Sequence, residues 1–241
     1  MNLILDIGNT IAKAAIYKGN SLVKKERLET FSRASLESFL GNVQPAKAII
    51  SSVATEPADV ITLVRENIKN VHHLTWRSEY PFKIKYSSPE TLGVDRLAAA
   101  AGALLKFNGH DLLVIDAGSA VTFDIVAGGE YLGGSISPGL TMRLRALHEF
   151  TVGLPLAELS ESFSFPGAST LDAIAGGVLM GLVFEINEYI RTFEKRYNAL
   201  IPVITGGDGE KLSSLTERRV ICYPDLVTDG LNYLLEYNAK N

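Results

Sequence analysis

A short polar segment follows the first apolar stretch of the chain. Asp6 ends the stretch Leu3–Leu5, and Gly8, Asn9 and Thr10 come directly after it. A glycine here allows a tight turn whose backbone N–H groups can point at an anion, and the two polar side chains add donors. Asp6 would repel a bare phosphate, so phosphate chemistry requires a cation such as Mg²⁺ between them. An ordinary Asx turn at a strand end explains the same residues.

The segment Asp116–Asp124 (DAGSAVTFD) repeats this arrangement later in the chain. When Asp6 is aligned with Asp116, Gly8 falls on Gly118 and apolar residues precede both carboxylates. These shared features are the ones that a strand–turn–strand hairpin needs. Two such hairpins that face each other could hold a polyphosphate between them.

A glycine pair occurs in a third segment, Thr205–Gly209 (TGGDG), after another apolar stretch. Gly206 and Gly207 would let a flat ring such as adenine approach the backbone closely. A plain strand-to-helix turn is the other interpretation of this segment.

The segment Gly93–Arg96 (GVDR) places a carboxylate beside a guanidinium at the predicted start of a helix. Asp95 could accept the proton of an attacking hydroxyl, and Arg96 could bind a carboxylate or a phosphate. The alternative is purely structural: Asp95 would be a charge that stabilises the helix N-terminus, and Arg96 would be a surface residue.

The elements that would position these segments occur in a repeated order. Hydrophobic periodicity predicts three strands, a helix, a strand, a helix and a strand in each half of the chain. We therefore predict an α/β fold of two βββαβαβ lobes, residues 1–111 and 112–241, with a central cleft between them. In the second lobe, Leu171–Tyr197 reads as one long helix or as two helices broken near Gly176–Gly177.

The composition excludes several classes of protein. A net charge of −4 without a run of five like charges argues against nucleic acid or an anionic membrane as the main partner. The single cysteine, Cys222, argues against an internal disulfide and against a zinc site. The sequence contains no run of 18 apolar residues, so it predicts no membrane-spanning helix. The sequence has no Walker A loop and no GxGxxG motif. We expect a soluble, cytoplasmic protein.

Taken together, the segments resemble the superfamily of acetate and sugar kinases, actin and chaperone ATPases, which has the actin-like, ribonuclease H-like fold. Within it the chain closely resembles the type III pantothenate kinases along nearly its whole length. The matching stretches share their order and spacing with that family: DIGNT (6–10), YSSPETLGVDR (86–96), DAGSAVTFD (116–124), GGSISPG (133–139), TVGLP (151–155) and ASTLDAIAGG (168–177).

The resemblance implies an ATP-dependent kinase that phosphorylates pantothenate to 4′-phosphopantothenate, the first step of coenzyme A biosynthesis. It implies Asp95 as the catalytic base and Asp116 as the ligand of a monovalent cation, K⁺ or NH₄⁺. Mg²⁺ would be held by Asp6 through the phosphates. The implied ATP-binding residues are Asp6, Ile7, Gly8, Asn9, Thr10, Ile11, Ala12, Lys13, Ser119, Gly206 and Gly207. The implied substrate-binding residues are Tyr86, Gly93, Val94, Asp95, Arg96 and Thr170.

The resemblance also implies a homodimer. Two details keep alternatives open: Ser119 stands where the family usually has threonine, and Lys13 could equally point to solvent. Another small-molecule kinase of the same superfamily and a non-catalytic nucleotide-binding regulator are the rival functions. Retention of Asp6, Asp95 and Asp116 argues for an enzyme.

Overall fold

A computed structural model describes residues 1–159 and 164–239 of the chain. Its first sheet has five strands in the order β3-β2-β1-β4-β5. These strands are β1 (Asn2–Ile7), β2 (Ala12–Lys18), β3 (Ser21–Leu28), β4 (Lys47–Ser52) and β5 (Asn70–His73). Helices α1 (Arg33–Leu40) and α2 (Ala58–Asn67) connect β3 to β4 and β4 to β5. All six residues of β1 are buried, which its position in the middle of the sheet explains.

The second sheet has six strands in the order β11-β10-β7-β8-β9-β6. They are β6 (Lys83–Ile84), β7 (Leu112–Ala117), β8 (Ala120–Ala127), β9 (Glu130–Pro138), β10 (Ile201–Thr205) and β11 (Ile221–Cys222). A 3₁₀ turn (Pro89–Thr91) and helix α3 (Val94–Lys106) precede β7. The remaining helices are α4 (Leu140–Glu149), α5 (Thr170–Glu194), α6 (Gly209–Leu215) and α7 (Leu226–Asn238).

The two sheets repeat one topology. Each has a central strand (β1 or β7) with an antiparallel hairpin partner on one side and a parallel strand (β4 or β10) on the other. The first half follows the predicted βββαβαβ order, and the second half has two helices, α4 and α5, between its third and fourth strands. Because Asp6 and Asp116 lie near the ends of β1 and β7, the repeat puts one carboxylate at the same place in each sheet.

Helix α5 is continuous through the Gly176–Gly177 pair, so the single-helix alternative is the one that forms. Ser169 caps its first turn by accepting a hydrogen bond from the backbone N–H of Asp172. By length and composition alone α5 could cross a membrane, but half of its most apolar window is buried. Leu179, Leu182 and other apolar side chains of α5 belong to the hydrophobic core beside β7 and β8.

The chain forms two compact units. The first comprises residues 1–109, 128–133 and 225–241, and the second comprises residues 110–127 and 134–224. In the first unit the closing helix α7 packs on α3, where a Cβ at Gly230 would lie 1.9 Å from the carbonyl oxygen of Ala98. The hydroxyl of Tyr17 also reaches α7 and donates a hydrogen bond to Asp229 Oδ1 at 2.7 Å. The division of the chain into lobes at residues 111 and 112 stays a prediction.

Candidate active site

Asp6 lies in the interior of the first sheet, near the carboxyl end of β1. Its side chain is 10% exposed, and Lys13 Nζ on the neighbouring strand β2 lies 3.5 Å from Asp6 Oδ2. Burial raises the pKa of the Asp6 carboxyl above its ordinary value of 3.8. The Lys13 charge acts in the opposite direction, and the Asp95 charge adds to the increase. A buried carboxylate with this environment is stabilised by a nearby cation.

Asp95 stands in the first turn of α3, in the same unit as Asp6, and its negative charge contributes to the raised pKa of the Asp6 carboxyl. Asp95 Oδ1 accepts a hydrogen bond from the backbone N–H of Arg96 at 2.8 Å. A Cβ at Gly93 would lie 2.5 Å from the same oxygen, so glycine leaves the space that the carboxylate occupies. Arg96 itself is buried, with 5% of its surface exposed. The surface-arginine interpretation of Arg96 is therefore wrong.

The segment after Asp6 forms one wall of a cavity of about 650 Å³. Residues 7–12 line this wall, and the side chains of Asn9 and Thr10 are exposed. The backbone N–H of Gly8 donates to the Ile11 carbonyl at 3.3 Å, which closes a tight turn. The structure thus places the predicted phosphate loop at an accessible cavity that is large enough for part of a nucleotide or a small substrate.

Other lining residues of this cavity were not predicted from the sequence. They come from the end of β3 and from the loop after β4, and include Leu28, Phe31, Val53, Thr55 and Pro57. The parallel pairing of β1 with β4 brings the carboxyl ends of both strands to one edge of the sheet. Ligands of open α/β sheets bind at such edges, so the loop after β4 was identifiable from the predicted topology.

The second carboxylate, Asp116, is half-buried near the end of β7. A Cβ at Gly206 would lie 2.6 Å from Asp116 Oδ1, so the predicted glycine turn packs directly against this carboxylate. The backbone N–H of Asp208 donates to the Ala117 carbonyl at 3.0 Å, and that of Gly139 donates to the Ser119 carbonyl at 3.1 Å. Three predicted segments therefore meet in the second unit, and the exposed Ser119 side chain lies among them.

The predicted substrate-binding residues are divided between the two units. Tyr86 and Gly93–Arg96 belong to the first unit, whereas Thr170 belongs to the second, where it is the exposed first residue of α5. The half-buried Tyr86 ring packs on Gly133, where a Cβ would lie 3.1 Å from a ring carbon. Its edge also meets the Tyr131 ring at 6.5 Å between centroids. Glycine at position 133 therefore provides the space for the Tyr86 ring.

Within residues 1–159 and 164–239, no group of three or more His, Cys, Asp or Glu side chains could hold a metal ion. Asp6 and Asp116 each offer a single carboxylate. A hard cation at either position would take its remaining ligands from phosphate oxygens, backbone oxygens or water, which is the usual way that Mg²⁺ binds beside a nucleotide. The chemistry of both positions fits a cation of this kind.

Comparison with known proteins decides which family these features belong to. The sequence model of the type III pantothenate kinases matches residues 2–192. Proteins named type III pantothenate kinase match along the full chain: one from Phocaeicola vulgatus is 40% identical, and one from Flavobacterium johnsoniae is 36% identical, with 100% of both chains covered in each case. The chain belongs to the type III pantothenate kinase family.

Solved structures agree on the fold. A Campylobacter jejuni protein described as a Baf family transcriptional activator is 25% identical and has a TM-score of 0.63, with 99% of this chain and 100% of that chain covered. A Listeria monocytogenes protein described as an N-acetylmannosamine kinase is 14% identical and has a TM-score of 0.57, with 100% of this chain and 99% of that chain covered. The predicted α/β fold of the actin-like, ribonuclease H-like type is confirmed.

Membership of the type III pantothenate kinase family confirms the predicted family and the predicted enzyme class, a phosphotransferase. The roles assigned to single residues stay predictions. What the structure adds is placement: Lys13 lies 3.5 Å from Asp6 in one unit, and Gly206 packs against Asp116 in the other.

Proposed function

We propose that this chain transfers the γ-phosphoryl group of ATP to the primary hydroxyl of pantothenate, giving 4′-phosphopantothenate in the first step of coenzyme A biosynthesis. The observation that carries the proposal is that the turn directly after Asp6 lines a cavity of about 650 Å³ in a chain of the type III pantothenate kinase family. Phosphoryl transfer depends on in-line positioning and on neutralisation of charge, and requires little covalent chemistry from the protein. Both requirements can be met by these residues.

Asp95 is the proposed catalytic base. The Arg96 backbone N–H holds Asp95 Oδ1, while the side chain stays partly exposed, so a substrate hydroxyl can reach the carboxylate. The carboxylate would accept the hydroxyl proton as the oxygen bonds to phosphorus. Tyr86, Gly93, Val94, Arg96 and Thr170 are the proposed pantothenate-binding residues, and the buried guanidinium of Arg96 suits a carboxylate ligand.

ATP is proposed to bind through residues 6–13, Ser119, Gly206 and Gly207. The exposed Asn9 and Thr10 side chains lie on the Gly8 turn, and in this proposal they would donate to phosphate oxygens when ATP binds. Lys13 already neutralises part of the Asp6 charge, and its side chain is 32% exposed, so it can also interact with phosphate.

Asp6 would hold Mg²⁺ through the phosphates, and Asp116 would hold a monovalent cation, K⁺ or NH₄⁺. Bound Mg²⁺ would neutralise the negative charge that the phosphates accumulate during transfer. The buried Asp6 carboxylate fits this role because its own burial makes its isolated charge unfavourable. In this proposal the chain's contribution is to orient both carboxylates on rigid strands.

The protein is proposed to be a cytoplasmic homodimer. Several large apolar side chains of the second unit are exposed and suit a subunit interface: Ile136, Phe150, Val152, Leu156, Phe165 and Phe184. The Phe165 and Phe184 rings contact each other edge to face at 6.0 Å between centroids, so these two form one exposed aromatic surface. Light scattering on the purified protein tests the assembly, and a monomer at micromolar concentration would contradict it.

The function is tested by turnover of purified protein with ATP, Mg²⁺, K⁺ and a panel of small alcohols that includes pantothenate and sugars. We expect phosphorylation of pantothenate alone. Preference for a sugar would favour another kinase of the superfamily, and no turnover with or without K⁺ would favour a nucleotide-binding regulator.

The role of Asp95 is tested separately with Asp95→Asn. We expect kcat to fall by about 10²–10⁴-fold, the usual contribution of a general base. Glu90→Gln, which removes an exposed carboxylate from the neighbouring 3₁₀ turn, is the matched control and should keep wild-type kcat. Full activity of Asp95→Asn would refute the base assignment alone.

A further inference from the structure

Ser51, near the end of β4, has no role in the function proposed above. It is completely buried, and its Oγ has no hydrogen-bond partner within residues 1–159 and 164–239. Almost all buried polar groups of folded proteins are paired, because an unpaired hydroxyl loses its hydration without compensation. A buried hydroxyl without a partner therefore indicates a functional role or a ligand that binds to it.

The sheet register places Ser51 directly beside Asp6. The two residues are Cα partners in the parallel β1–β4 pair, so their side chains project from the same face of the sheet. The hydroxyl is near enough to stabilise the charged form of Asp6, although it lies outside hydrogen-bonding geometry. On the other side, Lys13 approaches Asp6 Oδ2 at 3.5 Å. The carboxylate is therefore flanked by one cation and one unused donor.

The second sheet repeats the pairing of a carboxylate with a hydroxyl. Asp116 on β7 is the Cα partner of Thr205 on β10, and Thr205 is also buried, with 1% of its surface exposed. In both sheets a buried hydroxyl residue of the parallel neighbour strand, β4 or β10, thus lies beside the carboxylate of the central strand.

We propose that Ser51 is a positioning residue for Asp6: in the nucleotide-bound protein its hydroxyl donates a hydrogen bond to one carboxylate oxygen, which leaves the other oxygen available to the metal–phosphate ligand. The inference depends on the proposed role of Asp6. Its physical basis is that a buried carboxylate needs a fixed donor to hold one orientation, and Ser51 is the uncharged donor on the adjacent strand.

The test compares ADP affinity with and without Mg²⁺, measured by calorimetry on the wild type and on three variants. In Ser51→Ala we expect the Mg²⁺-dependent gain in ADP affinity to fall about tenfold, which corresponds to ~1.4 kcal/mol. Ser51→Thr keeps the hydroxyl and should retain the gain, as Thr205 occupies the equivalent position in the other sheet. Ser52→Ala, which removes the neighbouring hydroxyl that donates to Ala54 O, is the matched control and should also retain it.

Thermal unfolding separates positioning from a structural role. Ser51→Ala loses no hydrogen bond within the described chain and only the weak stabilisation that the hydroxyl gives the Asp6 charge, so its midpoint should stay close to that of the wild type. A lowered midpoint that Ser51→Thr does not restore would show a structural role and overturn the inference. A full Mg²⁺-dependent gain in Ser51→Ala would overturn it as well.

The same experiment distinguishes this inference from the proposed function, because ADP binding requires no pantothenate. A wild type that turns over no substrate, but shows a Mg²⁺-dependent gain that Ser51→Ala loses, refutes the kinase proposal and supports the role of Ser51. If the ADP affinity of the wild type does not change with Mg²⁺, the proposed roles of both Asp6 and Ser51 are refuted.

Discussion

Gly206→Ala tests the close approach of the glycine turn to the second carboxylate. Gly206 has a φ of +94°, and a Cβ there would lie 2.3 Å from Ala117 O and 2.6 Å from Asp116 Oδ1. Neither neighbour is the end of a flexible side chain, because one is backbone and the other is a short carboxylate near a strand end. The turn must therefore move away from β7 to accommodate a methyl group.

Two contributions set the size of the effect. The left-handed backbone conformation costs an alanine about 1–2 kcal/mol, and forcing a methyl group into a packed contact typically costs about 1–3 kcal/mol more. The sum is a loss of roughly 2–5 kcal/mol in the free energy of unfolding, or about 5–20 °C in the midpoint for a domain of this size. ADP affinity should fall as well, because the displaced turn is part of the proposed nucleotide site.

Gly109→Ala is the matched control. Gly109 has a similar φ of +83°, but a Cβ there would have no neighbour within 4 Å, so only the backbone cost applies. Thermal and urea unfolding of the two variants should differ by about 1–3 kcal/mol, with Gly206→Ala the less stable. Equal midpoints would refute the reasoning, since they would show that the turn does not press on Asp116.

Three further predictions concern stability and pH. Gly230→Ala should lower the free energy of unfolding by about 2–3 kcal/mol in urea titrations, because its methyl group would clash with Ala98 O where α3 meets α7. Tyr17→Phe should cost about 1–2 kcal/mol in the same assay, since it removes the hydrogen bond to Asp229. Burial lowers the pKa of His72, so the wild type should lose stability as pH falls below about 6.5, and His72→Gln should lose less over the same range.

Each of these predictions has an outcome that contradicts it. A Gly230→Ala protein as stable as the wild type would show that the two helices can separate without cost. A Tyr17→Phe change below about 0.5 kcal/mol would show that the hydroxyl gains as much from water as from Asp229. Parallel pH profiles of the wild type and His72→Gln would show that His72 has the same pKa in the folded and unfolded protein.

The sequence predicted the strand ends of the site better than its walls. Asp6 and Asp116 were identifiable because each ends an apolar strand and precedes a glycine turn, and local pattern is sufficient for that. Leu28, Phe31 and Thr55 enter the cavity only through the pairing of β1 with its neighbours, which no local pattern reveals. The buried state of Arg96 likewise depends on packing, since a charged side chain in the first turn of a helix is usually exposed.

Long-range contacts also explain why the position of Ser51 beside Asp6 could not be predicted from the sequence. Its β4 segment is an ordinary buried strand, and only the register with β1 places the hydroxyl beside Asp6.

For helix α5 the sequence left two possibilities open, one continuous helix or two helices. Its glycine pair is compatible with a break, but the capped N-terminus and the continuous buried stripe of apolar side chains keep it as one helix.

The central claim is that this chain phosphorylates pantothenate, and direct identification of the product tests it most simply. Purified protein is incubated with ATP, Mg²⁺, K⁺ and pantothenate, and mass spectrometry follows 4′-phosphopantothenate while ADP is quantified in parallel. The account predicts that both products form in equal amounts and that neither forms without pantothenate. ADP release that is independent of pantothenate, or the absence of the phosphorylated product, would contradict it.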